Sequence, residues 1–506
     1  MFKVLEYGSE QASGAQRAWR SIRVEWAIFG LAALLRLALL DLRPLHFDEG
    51  VNGYLVDYIS REVPYRYIPT VGHGPLFFYA MWASEEVLGR NVTALRLSAA
   101  ICSLVSVWLC FRFWPWIGHR GAAWAGFIMA ISPSFTFVGR SAIPESLFCF
   151  FLLLLLWGVM RLASGPSLAG RWALATGAAG AMAVKETVLI HLAALMGAWL
   201  LSGLFRLRFP RKDFLKGLLQ WVPPLASMAG LLWIIYTGAG HYPSALADFF
   251  RSFEQWTVSG VSQHTKPWWY WLYIAAHGDG MLLLGGVSGL LLTKASARSM
   301  RLAGWYSTLT LAAYFLIPYK TPWCIVSLAA TSPLLAGVWA AKNRSNVRSA
   351  LVFITVAVLS TDALTTTLRL AFWRHSDPEQ PHVYVATSPE ISQFISILFR
   401  HAEHDPRGTE VRGKVFAAEP HPLPWMLKAF RFIDYIPPGV TPVSFASGFI
   451  LTDAARVAEV ESQLTLSSYQ RLLFHLRVDQ PPCTLFLHKS VFRGPQKSTT
   501  SSPREP

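Results

Sequence analysis

The chain has 506 residues, of which 53% are hydrophobic and 15% charged, and its mean hydropathy is +0.35. Soluble domains carry about 25% charged residues, so this composition excludes a large soluble protein and indicates a polytopic membrane protein. The net charge of +15 does not indicate nucleic-acid binding, because Lys and Arg occur in short clusters between apolar runs. The five cysteines lack CxxC spacing, so neither a zinc site nor a disulfide framework is predicted.

Apolar runs of membrane length recur along the first 370 residues and predict about eleven transmembrane helices after a cytoplasmic N-terminus, 1–23. No small-residue cleavage site follows the first run, so it is predicted to be retained. The predicted spans are 24–42, 94–114, 121–138, 142–160, 171–184, 187–205, 217–237, 276–293, 302–318, 323–341 and 349–370. With these spans every short inside link is basic, and the long loops 43–92 and 238–275 lie outside.

The pair 171–184 and 187–205 has an alternative interpretation as one broken helix. Merging the two would place every later basic cluster outside, against the positive-inside rule, so two spans are predicted. Residues 24–370 are therefore predicted to form the transmembrane domain of a multi-pass protein of the plasma membrane.

Residues 371–490 have a different pattern, in which strand-like runs alternate with helix-like runs. The stretches "HVYVATSPEISQFISILFR", "GKVFAAEPHPLPWMLKAFR" and "GFILTDAARVAEVESQL" each predict a strand followed by a helix, and "CTLFLHK" predicts a last strand. This alternation predicts a small extracytoplasmic α/β domain with a largely parallel sheet. The polar tail 491–506 is rich in Pro and Ser and is predicted to be disordered.

Two adjacent acids, Asp48 and Glu49 in "HFDEG", open the first outer loop. They have a structural interpretation as caps of the following helix. The functional interpretation is that they supply a general base or bind a metal ion at the membrane surface. Because other ionisable groups are predicted on the same face, we favour the functional interpretation.

Cations and further acids occur near the outer ends of later spans, where an unpaired charge is costly. Lys185 and Glu186 in "VKET" form an ion pair across a turn or place a cation at a phosphate. Tyr319 and Lys320 in "YKTPW" form an interfacial anchor or, again, a phosphate site.

The bend "GRSAIPES" and the turn "VGHGPLFFY" supply the remaining candidates. Arg140 either snorkels to the interface or binds phosphate or sugar. Glu145 either caps a helix behind a proline or orients an acceptor. His73, flanked by glycines, is either structural or aimed at a site. Carboxylates and cations gathered on one membrane face suit chemistry on a phosphate leaving group at the lipid surface.

The arrangement resembles the GT-C superfamily, which includes protein O-mannosyltransferases and lipid A aminoarabinose transferases. The stretches "HFDEGVNGYLVDYI", "HGPLFFY", "IPYKTPW", "VYVATSPEI" and "HPLPWML" are most similar to the flippase-activity-associated membrane protein family of glycosylation loci. The resemblance implies that Asp48, with Glu49 beside it, supplies the catalytic base. It further implies that basic residues near the outer span ends bind the donor phosphate, for which the candidates are Arg140, Lys185 and Lys320. It does not decide whether a divalent cation is used, and the different C-terminal domain leaves the acceptor open.

The predicted function is therefore an inverting glycosyltransferase that uses a polyprenyl-phosphate sugar, with the bilayer as a second partner. His73, Glu145, Glu186 and Tyr319 are predicted to contact substrate, and the acceptor is a protein, a lipid or a glycan. Two alternatives are a transporter or flippase-associated helper for lipid-linked glycans, which predicts charges at mid-bilayer, and a non-catalytic scaffold.

Overall fold

A computed structural model describes residues 23–60, 63–69, 73–204, 214–262, 264–341, 347–405 and 407–492. The predicted cytoplasmic segment 1–22, the tail 493–506 and the basic clusters within 205–213 and 342–346 lie outside the described residues. The chain divides into two compact units. The first comprises residues 1–43 and 55–384, and the second comprises residues 44–54 and 385–506.

The first unit is built of helices. Its described helices are 23–37, Pro75–Leu88, Val92–Phe111, Trp114–Ile131, Pro133–Gly139, Glu145–Ala163, Leu168–Val184, Val188–Leu201, Phe214–Leu219, Val222–Thr237, Ala245–Ser262, Tyr270–Ala276, Gly280–Leu292, Arg298–Leu316, Ile325–Leu328, Ser332–Ala340 and Val347–Leu368. A further helix, Phe47–Val56, begins in the second unit. Each predicted span coincides with one of these helices or with a broken pair of them.

Among the described residues, four helices are long and apolar enough to cross a membrane. Two bent pairs raise that number to six if each pair is one span. Trp114–Ile131 meets Pro133–Gly139 at 61°, and Pro322–Leu328 meets Ser332–Ala340 at 62°. The protein is thus a multi-pass membrane protein, whereas the count of eleven spans stays a prediction.

Two helices, Glu145–Ala163 and Leu168–Val184, form a closely packed hairpin. A Cβ added at Gly158 would lie 2.5 Å from the backbone nitrogen of Leu174, and one at Gly177 would lie 2.5 Å from that of Leu155. Small residues thus let the two backbones approach, as is common between membrane helices. The hairpin places the start of the first helix beside the end of the second, and so brings Glu145 next to Lys185.

The break predicted between 184 and 187 is present. One helix ends at Val184, the next begins at Val188, and the intervening link carries Lys185 and Glu186. The structure also contains helices that the span prediction omits, Pro75–Leu88 and Ala245–Ser262, both within the predicted outer loops.

The second unit contains a five-stranded sheet. Its strands are β1 (Gly413–Phe416), β2 (Ile433–Tyr435), β3 (Phe449–Thr452), β4 (Tyr469–Phe474) and β5 (Cys483–His488), in the order β2-β1-β3-β5-β4. Strand β1 pairs in parallel with β2 and β3, whereas β5 pairs antiparallel with β3 and β4. The prediction of a largely parallel sheet is therefore wrong, because the sequence interpretation omitted β4, which returns beside β5.

Helices Ile391–His404, Leu423–Met426 and Val457–Gln463 accompany the sheet. Asp453 caps the short turn Ala454–Arg456, because its side chain accepts a hydrogen bond from the backbone N–H of Arg456 at 3.2 Å. The predicted strand in "HVYVATS" is wrong, because this stretch forms a single isolated bridge between Thr387 and Arg477. Its apolar residues Val383 and Ala386 are buried without belonging to a ladder.

Candidate active site

The first turn of helix Phe47–Val56 carries the predicted acids, and the structure gives them different environments. Glu49 is fully buried, and its Oε2 accepts the backbone N–H of His46 at 2.8 Å. The imidazole Nδ1 of His46 in turn accepts the backbone N–H of Asp48 at 3.1 Å. This reciprocal arrangement has the logic of a capping box, which satisfies N–H groups at a helix start.

Asp48 is half-buried, and among the described residues its carboxylate makes no hydrogen bond. A carboxylate at a helix N-terminus is stabilised by the helix dipole. The structural interpretation therefore fits Glu49, and Asp48 is the acid with a carboxylate available to a substrate. Both residues belong to the second unit.

The remaining predicted residues belong to the first unit, where the structure gathers several of them around the hairpin end. Lys185 and Glu145 form a buried ion pair, with side chains exposed by 9% and 1%. Burial by itself lowers the pKa of Lys185, but its interactions with Cys324 and Glu145 outweigh burial and raise that pKa well above its usual value. The ion pair with Glu145 therefore favours the charged form of Lys185.

The link that carries Lys320 approaches the same place. The Nζ of Lys185 lies 3.9 Å from the sulfur of Cys324, which lies 3.3 Å from the hydroxyl of Thr321. Lys320 is buried, its ammonium donates to the carbonyl of Ile317, and burial lowers its pKa. Lys185 therefore contacts the segment that directly follows Lys320.

Lys320 is held by the segment that precedes helix Tyr270–Ala276. Its backbone N–H donates to the carbonyl of His264 at 3.1 Å, and Tyr319 forms an antiparallel bridge with Thr265. The rings of His264 and Tyr319 meet edge to face at 5.2 Å. Tyr319 therefore contributes to the support of the Lys320 backbone.

Glu186, in the link between Val184 and Val188, forms a second group with His73. The Nδ1 of His73 lies 3.6 Å from Oε2 of Glu186, and the hydroxyl of Tyr67 donates to Oε1 of Glu186 at 2.8 Å. Burial by itself raises the pKa of Glu186, but the interactions with His73 and Tyr67 outweigh it and lower that pKa. The turn is fixed by Gly74, whose N–H donates to the carbonyl of Val184 at 3.0 Å.

Arg140 stands apart from these two groups. Its guanidinium donates to backbone carbonyls at the end of helix 23–37 and in the turn that follows it: those of Leu35, Arg36, Ala38 and Leu39, at 2.6–3.3 Å. These carbonyls lack helical partners because the helix ends there. The contacts favour a structural role for Arg140 over the predicted phosphate contact.

Sequence reasoning missed two other buried arginines, Arg36 and Arg96. Arg36 donates to the carbonyls of Met129 and Ala130 at 2.8 and 2.9 Å, at the 61° bend. Pro133 has no N–H to donate to the carbonyl of Met129, four residues earlier, so the bend leaves carbonyl acceptors that a guanidinium can satisfy. An arginine inside an apolar run is the signal that would have found both residues.

The same bend holds a buried polar cluster that the sequence did not indicate. The hydroxyls of Ser132 and Ser134 donate to Asp279, and the Nε2 of His382 lies 3.0 Å from the hydroxyl of Ser134. The N–H of Ser134 also donates to Asp279 at 3.0 Å. These contacts replace the helical hydrogen bonds lost at the break.

No group of three or more His, Cys, Asp or Glu that could hold a metal ion occurs among the described residues. The prediction that Asp48 and Glu49 bind a metal ion stays a prediction.

Comparisons with known proteins find a sequence-profile match to part of the chain and fold matches along nearly all of it. The sequence profile of the dolichyl-phosphate-mannose-protein mannosyltransferase family matches residues 72–226, which include His73, Arg140, Glu145, Lys185 and Glu186. No curated protein matches the sequence.

Two solved structures of ArnT from Cupriavidus metallidurans resemble the fold. The one bound to undecaprenyl phosphate has a TM-score of 0.64 and 15% identity, and the match covers 93% of this chain and 99% of that one. The apo structure has a TM-score of 0.62 and 14% identity, with 96% and 100% covered. The chain therefore has the fold of these two structures. The narrower resemblance to the flippase-activity-associated family stays a prediction.

Proposed function

We propose that this chain is a GT-C membrane glycosyltransferase that moves a sugar from a polyprenyl-phosphate donor to an acceptor hydroxyl. The observation that carries the proposal is the fold match, along nearly the whole chain, to an ArnT structure bound to undecaprenyl phosphate. The mannosyltransferase profile supports it, because that profile covers the link that holds Lys185 and Glu186.

Asp48 is the proposed general base. Its carboxylate takes the proton of the acceptor hydroxyl as the oxygen attacks the anomeric carbon opposite the phosphate. The bond between that carbon and the phosphate oxygen breaks, and polyprenyl phosphate leaves with the electron pair. A single displacement inverts the anomeric centre. The half-buried carboxylate without a hydrogen bond among the described residues supports this assignment over Glu49.

Lys185 and Lys320 are proposed to stabilise the departing phosphate. A buried ammonium acts on a developing negative charge more strongly than one in water. The ion pair with Glu145 supports the role of Lys185, because the paired carboxylate keeps the ammonium charged in a buried setting. His73, Glu186 and Tyr319 are proposed to line the substrate site, and no step is assigned to a metal ion.

The orientation follows from the charge pattern of the links. We propose that the N-terminus is cytoplasmic and that the sheet domain and the acidic helix are extracytoplasmic, in the plasma membrane. Labelling of single cysteines introduced at Tyr58 and Asp434, two exposed positions in predicted outer segments, with a membrane-impermeant reagent tests this. Labelling of the two positions from opposite sides would overturn the proposal.

Sugar transfer from a labelled polyprenyl-phosphate sugar in proteoliposomes tests the chemistry. Asp48→Asn is expected to abolish transfer, whereas Glu49→Gln, which keeps an oxygen acceptor for the His46 N–H, is expected to retain measurable transfer. Transfer by Asp48→Asn at the wild-type rate would refute the base assignment. Lipid scrambling without transfer in the same vesicles would favour the flippase-associated alternative.

A further inference from the structure

The motif "HPLPW" of the C-terminal domain contacts the helix that carries the acids. Helix Phe47–Val56 begins in the same compact unit as residues 385–506. Its first turns face the loop segment Pro420–Trp425, which follows β1 and includes the first residues of the short helix Leu423–Met426. The contact is therefore internal to one unit.

Two glycines of the acidic helix make the contact close. A Cβ at Gly50 would lie 2.5 Å from both the Cα and the Cβ of Pro422. A Cβ at Gly53 would lie 2.6 Å from Cδ1 of Trp425. Gly50 and Gly53 are three residues apart and so share one face of the helix. Any larger side chain on that face would displace the helix from the loop.

Ring contacts surround this glycine face. The imidazole of His421 meets the ring of Phe47 edge to face at 5.6 Å and the ring of Tyr54 at 5.8 Å. Phe47 also receives the guanidinium of Arg477, whose Cζ lies 5.2 Å from the ring centroid. Phe47 precedes Gly50 by three residues and Tyr54 follows it by four, so all lie along one stripe.

Arg477 is itself held by the sheet domain. It is 5% exposed, pairs with Glu419 and lies 3.4 Å from Asp479. Its backbone also forms the bridge with Thr387. The guanidinium is thus a fixed support under the Phe47 ring rather than a mobile surface charge.

We propose that the loop Pro420–Trp425 and Arg477 act as a cradle that sets the position of Asp48, with His421, Trp425 and Arg477 as positioning residues. Asp48 directly follows Phe47, and successive helical residues point to different faces, so a seated glycine stripe fixes the direction of the Asp48 side chain. This inference rests on the proposed function, in which Asp48 is the base. The sheet domain then takes part in catalysis through the acidic helix and is more than an appended module.

The experiment uses the full-length chain in proteoliposomes with a labelled polyprenyl-phosphate sugar. Gly53→Ala is expected to lower kcat about 10- to 100-fold, because misplacement of a catalytic group by about 1 Å has effects of this size. The KM for the donor is expected to stay near the wild-type value. Because the displaced helix is expected to lower the melting temperature, kcat is measured on the folded fraction. Trp425→Ala removes the Cγ, Cδ1 and Nε1 atoms that the new methyl group meets, so Gly53→Ala/Trp425→Ala is expected to recover much of the kcat lost in Gly53→Ala in a double-mutant cycle.

His421→Gln supplies a second test, with His475→Gln as its control. His475 belongs to the same unit, and its imidazole faces Glu390 at 3.3 Å. His421→Gln is expected to lower kcat, and His475→Gln to leave it unchanged. Wild-type kcat in both Gly53→Ala and His421→Gln would overturn the cradle, as would a loss of kcat in Gly53→Ala that Trp425→Ala does not relieve. If Asp48→Asn is inactive in the same assay, the proposed function still stands. Full activity of Asp48→Asn would instead remove the proposed base.

Discussion

Removal of one partner of the Lys185–Glu145 pair is expected to destabilise the first unit strongly. Glu145→Gln leaves the ammonium of Lys185 buried without its carboxylate, and Lys185→Met leaves the carboxylate alone. Breaking a buried pair in this way costs about 3–5 kcal/mol, because an uncompensated charge stays out of water. Replacing both partners, as in Glu145→Gln/Lys185→Met, is expected to restore much of that free energy.

The buried cysteines of the first unit provide the assay. Cys110, Cys149 and Cys324 are buried and free, so a thiol-reactive fluorogenic dye reports their exposure on unfolding in detergent. Unfolding midpoints are measured for the wild type, both single variants and the double variant. Donor turnover is measured in parallel, and the double variant is expected to stay inactive, since Lys185 is proposed to stabilise the leaving phosphate.

Asp248→Asn is the matched control. It breaks the ion pair with Arg251, whose side chain is 70% exposed. Exposed pairs contribute about 0–1 kcal/mol, so the midpoint should scarcely move. Two results would refute the argument from burial. One is an unfolding midpoint of Glu145→Gln and Lys185→Met equal to that of the control. The other is a double variant that is less stable than either single variant.

Three further predictions concern other contacts. Gly74→Ala is expected to reduce folded yield, because its Cβ would lie 2.2 Å from the carbonyl oxygen of Ala183; size-exclusion chromatography checks this, and a wild-type profile would contradict it. Arg140→Lys, which keeps the charge but loses the fork that reaches Leu39, should lower the melting temperature while the donor KM of the folded fraction stays unchanged; a raised KM alone would favour phosphate binding. Burial lowers the pKa of His421 below 6.5, although a hydrogen bond to the Gly50 backbone opposes this shift. As pH falls, the unfolded chain therefore takes up a proton at His421 before the folded chain does. The stabilisation from neutral His421 is thus present above pH 6.5 and lost as pH falls through the pKa of the folded state. Melting temperatures of the wild type and His421→Gln should therefore converge or cross between pH 7 and 5, and parallel curves would exclude the linkage.

Local patterns in the sequence predicted much of the first unit. Apolar length located the helices, because hydrocarbon thickness sets the length of a span. The break at Lys185 and Glu186 was visible for the same reason, since charges interrupt the run. The acids at 48 and 49 stood out as a pair next to a membrane-length segment. These features are encoded within about twenty residues each.

Features that depend on partners distant in the chain were decided by tertiary structure. Adjacent acids differ because one carboxylate turns back to the N–H of His46 and the other does not. Arg140 was predicted at a phosphate, but the carbonyls it contacts lie about 100 residues earlier in the chain. Strand order in the C-terminal sheet depends on the return of β4 beside β5. The apolar run at Val383 and Ala386 has the composition of a strand but no neighbouring ladder.

The sequence by itself determined which segments are apolar enough to enter a membrane and which ionisable groups interrupt or flank them, because hydropathy is a property of each segment. Tertiary structure decided what each ionisable group contacts, because a hydrogen bond requires a partner within about 3 Å. Residues close in the sequence supply such a partner only in local helix caps. The contact of "HPLPW" with the acidic helix is of the second kind: its two halves are about 370 residues apart, and only the fold of the second unit brings them together.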